Sequence, residues 1–193
     1  VTEMNVVGFL EEYNEQMDQK QQIETISQKI RTDQLTGLYN RETFIEEMEQ
    51  RLKRQTTEEN KRMNALFILD LDHFKELNDT LGHMMGDQAL CETAGRIKSS
   101  IRKTDLAGRL GGDEFVLFIQ DLPDRDAVER CARKLNHALK SDWTKDGKTV
   151  RITASVGITE AEKGMGFRNL YERADRALYK AKEQGRDGYY IAE

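Results

Sequence analysis

Gly111-Gly112 is followed by two adjacent acids, Asp113 and Glu114, and then by the apolar run Phe115-Val116-Leu117-Phe118-Ile119. A glycine pair permits a tight turn with positive φ, and the β-branched and aromatic residues after it read as a buried strand. The two acids therefore fall at a hairpin tip. A second apolar run, Ala65-Leu66-Phe67-Ile68-Leu69, ends in Asp70-Leu71-Asp72. If the two runs are neighbouring strands of one sheet, Asp70 meets Asp113 and Glu114 at one edge. Several carboxylates cannot all stay ionised there without a cation, which implies Mg²⁺ or Mn²⁺, hard ions that prefer oxygen ligands. Paired metals held by acids on neighbouring strands are how nucleotidyl-transfer enzymes clamp attacking and leaving oxygens. The plainer alternative, a surface turn of solvated acids, leaves the second acidic strand end unexplained.

The rest of the chain reads as one ordinary domain with an appendage. Its 193 residues, 37% hydrophobic and 34% charged, suffice for a soluble core. No apolar stretch approaches the roughly 20 residues of a membrane helix, and no signal peptide is visible, so a cytoplasmic location is expected. The chain starts with Val1 rather than Met, which leads to the expectation of a fragment whose parent carries an upstream sensory domain that could be membrane-bound. A net charge of -5 argues against a general nucleic-acid binder. Cys91 and Cys131 lack C-x-x-C or histidine spacing and read as free thiols.

Met4 to Ile30 repeats apolar residues at Val6, Leu10, Tyr13 and Met17, then at Ile23, Ile26 and Ile30, the intervals of a helical stripe. Such a helix needs a partner, most simply its own copy in a parallel coiled coil, with a change of phase between Met17 and Ile23. The alternative is that it folds back onto the domain. The expected boundary divides a helix at 1–32 from a domain at 33–193.

Asp33 to Arg41 carries turn chemistry in Thr36-Gly37 and Asn40. Helices are expected over Arg41 to Glu59, Phe74 to Leu81, Gly86 to Ile101, Asp124 to Leu139 and Phe167 to Gln184. Strands are expected over Met63 to Asp70, Asp105 to Arg109, Glu114 to Gln120, Asp142 to Lys145, Lys148 to Thr159 and Tyr189 to Ile191, with Asp146-Gly147 as a hairpin turn. Hairpins mixed with crossover helices give an α+β fold whose central, mostly antiparallel sheet is flanked by helices.

Five stretches in order carry a resemblance. Asp33-Gln34-Leu35-Thr36-Gly37-Leu38-Tyr39-Asn40-Arg41 is similar to D-x-L-T-G-L-x-N-R, and Asp70-Leu71-Asp72-His73-Phe74-Lys75 with Asn78-Asp79 to D-x-D-x-F-K-x-x-N-D. Gly82-His83-Met84-Met85-Gly86-Asp87 resembles G-H-x-x-G-D. Gly111-Gly112-Asp113-Glu114-Phe115 is the signature itself, and Leu178-Tyr179-Lys180-Ala181-Lys182 with Gly185-Arg186 resembles the closing L-Y-x-A-K-x-x-G-R. Together they resemble the GGDEF family, the diguanylate cyclases that join two GTP into cyclic di-GMP on a palm-like fold.

The resemblance implies roles. Asp70, the Leu71 carbonyl, Asp113 and Glu114 would hold two Mg²⁺ or Mn²⁺ ions per half-site, and Asp113 is the candidate base for the ribose 3′-hydroxyl. Asn78 and Asp87 would read guanine. His83 would help hold the substrate, a surface or capping histidine being its alternative. Phe74 and Lys75 would serve the phosphates through backbone N–H groups and charge, with Lys182 and Arg186 adding positive charge. Arg102 and Asp105 match an R-x-x-D site for inhibition by the product. The reaction needs two facing half-sites, hence a homodimer, for which the N-terminal helix would serve. A non-catalytic receptor for GTP or cyclic di-GMP is the rival reading. The chain departs from the pattern at Asp187, where the family usually has asparagine.

Overall fold

Met63–Asp72 (β1) is buried along nearly its whole length and takes a strand on each edge. Glu114–Leu122 (β3) pairs with it antiparallel on one side and Lys148–Ala161 (β5) on the other. Leu106–Gly111 (β2) forms a hairpin with β3, Ser141–Lys145 (β4) forms one with β5, and Tyr189–Ile191 (β6) joins β5 in parallel. The six-stranded sheet thus runs β2-β3-β1-β5-β4 with β6 beside β5, antiparallel except at that last pair. This is the α+β architecture expected. The computed structural model describes residues 17, 31–54, 62–162 and 164–192. The helical stripe from Met4 to Ile30, its coiled coil and the end of the expected helix at Glu59 lie outside the described residues, Met17 excepted.

Alternation along the strands sends side chains to two helical layers. Leu66, Ile68, Val116 and Phe118 pack with Phe44 and Met48 of Arg41–Arg54 (α1) and Leu170 and Ala174 of Phe167–Glu183 (α5). Ala65, Phe67, Leu69, Phe115 and Leu117 face Phe74–Leu81 (α2), His83–Ser100 (α3) and Arg125–Leu139 (α4) through Leu77, Leu90, Ile97 and Val128. The α5 layer lies very close to β5. A Cβ added at Gly157 would stand 2.1 Å from the Ala174 carbonyl oxygen and 2.3 Å from the Leu178 nitrogen.

Several element ends differ from expectation for local reasons. β1 continues past Asp70 because Leu71 and Asp72 pair with Ala154 and Thr153 on β5. α3 starts at His83 rather than Gly86, since the Gly82 carbonyl already accepts from the Met85 and Gly86 N–H groups. β2 starts at Leu106 because the Asp105 carboxylate is turned to backbone capping, accepting from the N–H of Arg102 at 2.9 Å and of Gln120 at 3.1 Å. Asp124 caps α4 rather than joining it, its Oδ1 accepting from Ala127 N–H at 2.7 Å. β3 and β5 run on to Leu122 and Ala161, where they meet Met63 and Asn64. Asp146 and Gly147 both adopt positive φ, as the hairpin signal requires. Both cysteines are free thiols. Among the described residues no helix is long and apolar enough to cross a membrane.

Candidate active site

Gly111 and Gly112 turn the β2–β3 hairpin at φ 148° and 52°. A Cβ at either would meet nothing within 4 Å, so the glycines serve backbone conformation rather than space. Across β1 and β3 the register sets Asp70 opposite Glu114, and Leu71 N–H reaches the Asp113 carbonyl at 3.4 Å. The register thus sets Asp70 and Glu114 side by side at the end of the strand pair, with Asp113 next in the chain.

Arg109 fixes the tip from below. Its Nε and Nη2 donate to the Gly112 carbonyl at 3.0 and 2.7 Å, while Nη1 lies 3.2 Å from both oxygens of Asp33. Asp33 also accepts from the Thr36 N–H at 2.9 Å and hydroxyl at 2.6 Å. Burial works to raise the pKa of Asp33, but the hydrogen bonds from Thr36 and the Arg109 charge prevail and hold it below the ordinary value. The first motif and the signature are therefore joined through one guanidinium.

Burial, then repulsion from Asp70, pushes the Asp113 carboxyl above its ordinary pKa. Glu114 is raised too, chiefly by burial, although the hydroxyl of Tyr171 donates to its Oε1 at 2.8 Å. Burial and the same contact raise the Tyr171 phenol, which stays protonated. Lys182 Nζ sits 2.9 Å from Asp70 Oδ1. Half-buried carboxylates crowded at one edge and already drawing an ammonium to themselves are a donor set suited to a hard divalent ion. Among the described residues no three acidic, His or Cys side chains close into a metal-binding group. Any ion here would complete its shell with backbone, substrate or water oxygens, as Mg²⁺ commonly does.

The expected base-reading residues lie on α2 and α3. A Cβ at Gly86 would fall 2.0 Å from Asn78 Oδ1 and 3.3 Å from Phe74 Cζ, so the glycine lets Asn78 lie against the start of α3. His83 is exposed at the first position of α3. The Phe74 ring packs on the core, which leaves only its backbone N–H for the phosphates, and Lys75 is exposed. Arg186 is exposed in the turn after α5, at φ 64°.

Asp72, Arg109 and Tyr171 were not among the residues the sequence singled out. Asp72 is 2% exposed and accepts from Thr153 Oγ1 and Ser155 Oγ, both at 2.7 Å, and from Asp187 N–H at 3.0 Å. The second acid of D-x-D is thus a buried tie between β1, β5 and the C-terminal turn. Only its alternation with Asp70 along the strand hinted at an inward direction. Asp187 keeps that turn through its backbone N–H, and its Oδ2 pairs with Lys140 at 2.8 Å.

A mostly antiparallel sheet carrying a glycine-turned acidic hairpin beside a second acidic strand end is the α+β architecture the GGDEF resemblance implies. Residues 30–188 match the model of the family described as "Diguanylate cyclase, GGDEF domain". The diguanylate cyclase DgcP of Pseudomonas aeruginosa is 35% identical over 98% of this chain and 29% of its own length. The bifunctional diguanylate cyclase/cyclic di-GMP phosphodiesterase MucR of the same organism is 41% identical over 83% of this chain and 23% of its own. The chain thus spans under a third of these two relatives. The coiled coil and GGDEF domain of DgcB from Caulobacter crescentus, solved with c-di-GMP, superposes with a TM-score of 0.84 at 28% identity, covering 96% of this chain and 98% of that one. This chain belongs to the GGDEF family.

Proposed function

We propose that residues 33–193 form a diguanylate cyclase domain that condenses two GTP into cyclic di-GMP with release of two pyrophosphates. The observation that carries the reading is the convergence of Asp70, Asp113 and Glu114 at one strand edge, with Lys182 beside them. Asp70, Asp113, Glu114 and the Leu71 carbonyl would hold Mg²⁺ or Mn²⁺, which when bound neutralises the triphosphate and polarises the α-phosphorus. Lys182, 2.9 Å from Asp70 Oδ1, would add positive charge beside the phosphates. Asp113, raised by burial, is suited to take the proton from the 3′-hydroxyl as that oxygen bonds to the α-phosphorus of the facing GTP and pyrophosphate leaves. Asn78 and Asp87 offer an amide and a carboxylate to the N1–H, N2–H₂ and N3 side of guanine. Adenine lacks those donors, and leaving the protein groups unpaired costs it affinity.

Two such half-sites must face each other, so the working unit is a homodimer. The test is incubation of the purified chain with GTP and Mg²⁺ and identification of the product by mass. Cyclic di-GMP is expected; binding of GTP without product would favour the receptor reading and overturn the cyclase.

Arg102 and Asp105 are proposed as the site of product inhibition, and they are not equivalent as test positions. Asp105 is buried and caps backbone N–H groups, whereas Arg102 is exposed. Arg102→Ala is therefore the clean variant. It is expected to keep the initial rate and to raise the cyclic di-GMP concentration for half-inhibition by about tenfold or more, the loss of a charge-assisted contact.

A further inference from the structure

We propose that Tyr171 is a positioning residue of the reaction: its hydroxyl holds one oxygen of Glu114 so that the other is presented to the divalent cation. The inference rests on the reading of Glu114 as a cation ligand. Tyr171 belongs to none of the five sequence motifs, and it stands on α5, 57 residues from its partner.

Its ring is fixed independently of the acid. The Tyr171 and Phe167 centroids are 5.6 Å apart at a 38° tilt, and Phe167 meets Phe44 edge-on at 6.5 Å and 71°. Phe44 in turn seats on Gly108, where a Cβ would come within 3.0 Å of its ring and Cβ. Apolar contacts from α1, α5 and β2 therefore set where the hydroxyl sits, and the hydroxyl reaches Glu114 Oε1 at 2.8 Å.

Glu114 needs such a guide. The terminal torsion of a glutamate is broad, so its carboxylate plane is undefined until a donor ties one oxygen down. Cross-strand pairing with Asp70 fixes only its backbone. Donors behind a ligating carboxylate orient it, and losing them typically weakens metal binding by tenfold or more. α5 thus reaches both members of the cross-strand pair, Asp70 through Lys182 and Glu114 through Tyr171.

The test is Mn²⁺ binding to the whole chain without turnover, read from the electron paramagnetic resonance of free Mn²⁺. It is done for wild type, Tyr171→Phe, Glu114→Ala and the double variant, with thermal unfolding in chelator as a check that the ring still packs. Tyr171→Phe is expected to raise the dissociation constant by about tenfold in the wild-type background and to change nothing further once Glu114 is gone. A change below about twofold, or an equal loss in both backgrounds, overturns the assignment. Failure of wild type itself to bind Mn²⁺ overturns the cation reading of the site as well. Tight wild-type binding with an indifferent Tyr171→Phe removes the tyrosine's role alone.

Discussion

Asp113→Ala is expected to slow cyclic di-GMP formation by about a thousandfold, because a lost cation ligand forfeits several kcal/mol of transition-state charge stabilisation and each 1.4 kcal/mol is about tenfold in rate. The same variant is expected to be at least as stable as wild type near neutral pH when divalent ions are chelated. The sign follows from the direction of the shift. Burial, and then Asp70, raise the Asp113 carboxyl, so the folded chain holds that proton more tightly than the unfolded chain does. This group favours the fold below the ordinary carboxylate pKa, and the advantage is lost as pH rises to its raised value. Removing it should flatten the pH dependence of Tm over that window. A Tm profile of the variant that fell with pH as steeply as the wild type's, or product formation at near wild-type rate, would contradict the role given to Asp113.

Gly157→Ala is expected to do the largest damage to the fold. The added methyl would meet the Ala174 carbonyl at 2.1 Å, the Leu178 nitrogen at 2.3 Å and the Leu178 Cα at 2.7 Å, all backbone atoms that no rotamer change can clear. α5 would have to lift from β5, opening the buried layer around Leu170, Ala174 and Leu178. Overpacking typically costs about 1–3 kcal/mol, and a rigid backbone neighbour sets the cost at the upper end, near 3 kcal/mol. At about 2–4 °C per kcal/mol for a chain of this size, Tm should fall by roughly 6–12 °C. Because α5 carries Tyr171, a loss of Mn²⁺ affinity like that of Tyr171→Phe should accompany the loss of stability.

The acidic edge was legible in the sequence because the features that make it are local. A glycine pair, adjacent acids and an apolar run predict a hairpin tip, and Leu69 running into Asp70 predicts the neighbouring strand end. Asp72, Arg109 and Tyr171 were not legible, because each has a side-chain partner far along the chain. Asp72 is satisfied by Thr153 and Ser155, 81 and 83 residues away, and Arg109 binds Asp33 across 76 residues. Those partners share no period or spacing with the residues they serve, so only the strand order brings them into view. Asp105 shows the converse: its R-x-x-D spacing is readable at once, but its work as a backbone cap is not.

β1 lies between two partners along most of its length, with Leu66 opposite Phe118 on one side and Thr159 on the other. A slip of one residue against either neighbour would turn Phe67 and Leu69 out of their layer along with Asp70. The distance between the acids is therefore gauged by the packing of the whole interior, as a ruler is by its material. Surface loops and appended segments can diverge freely while that gauge stays true.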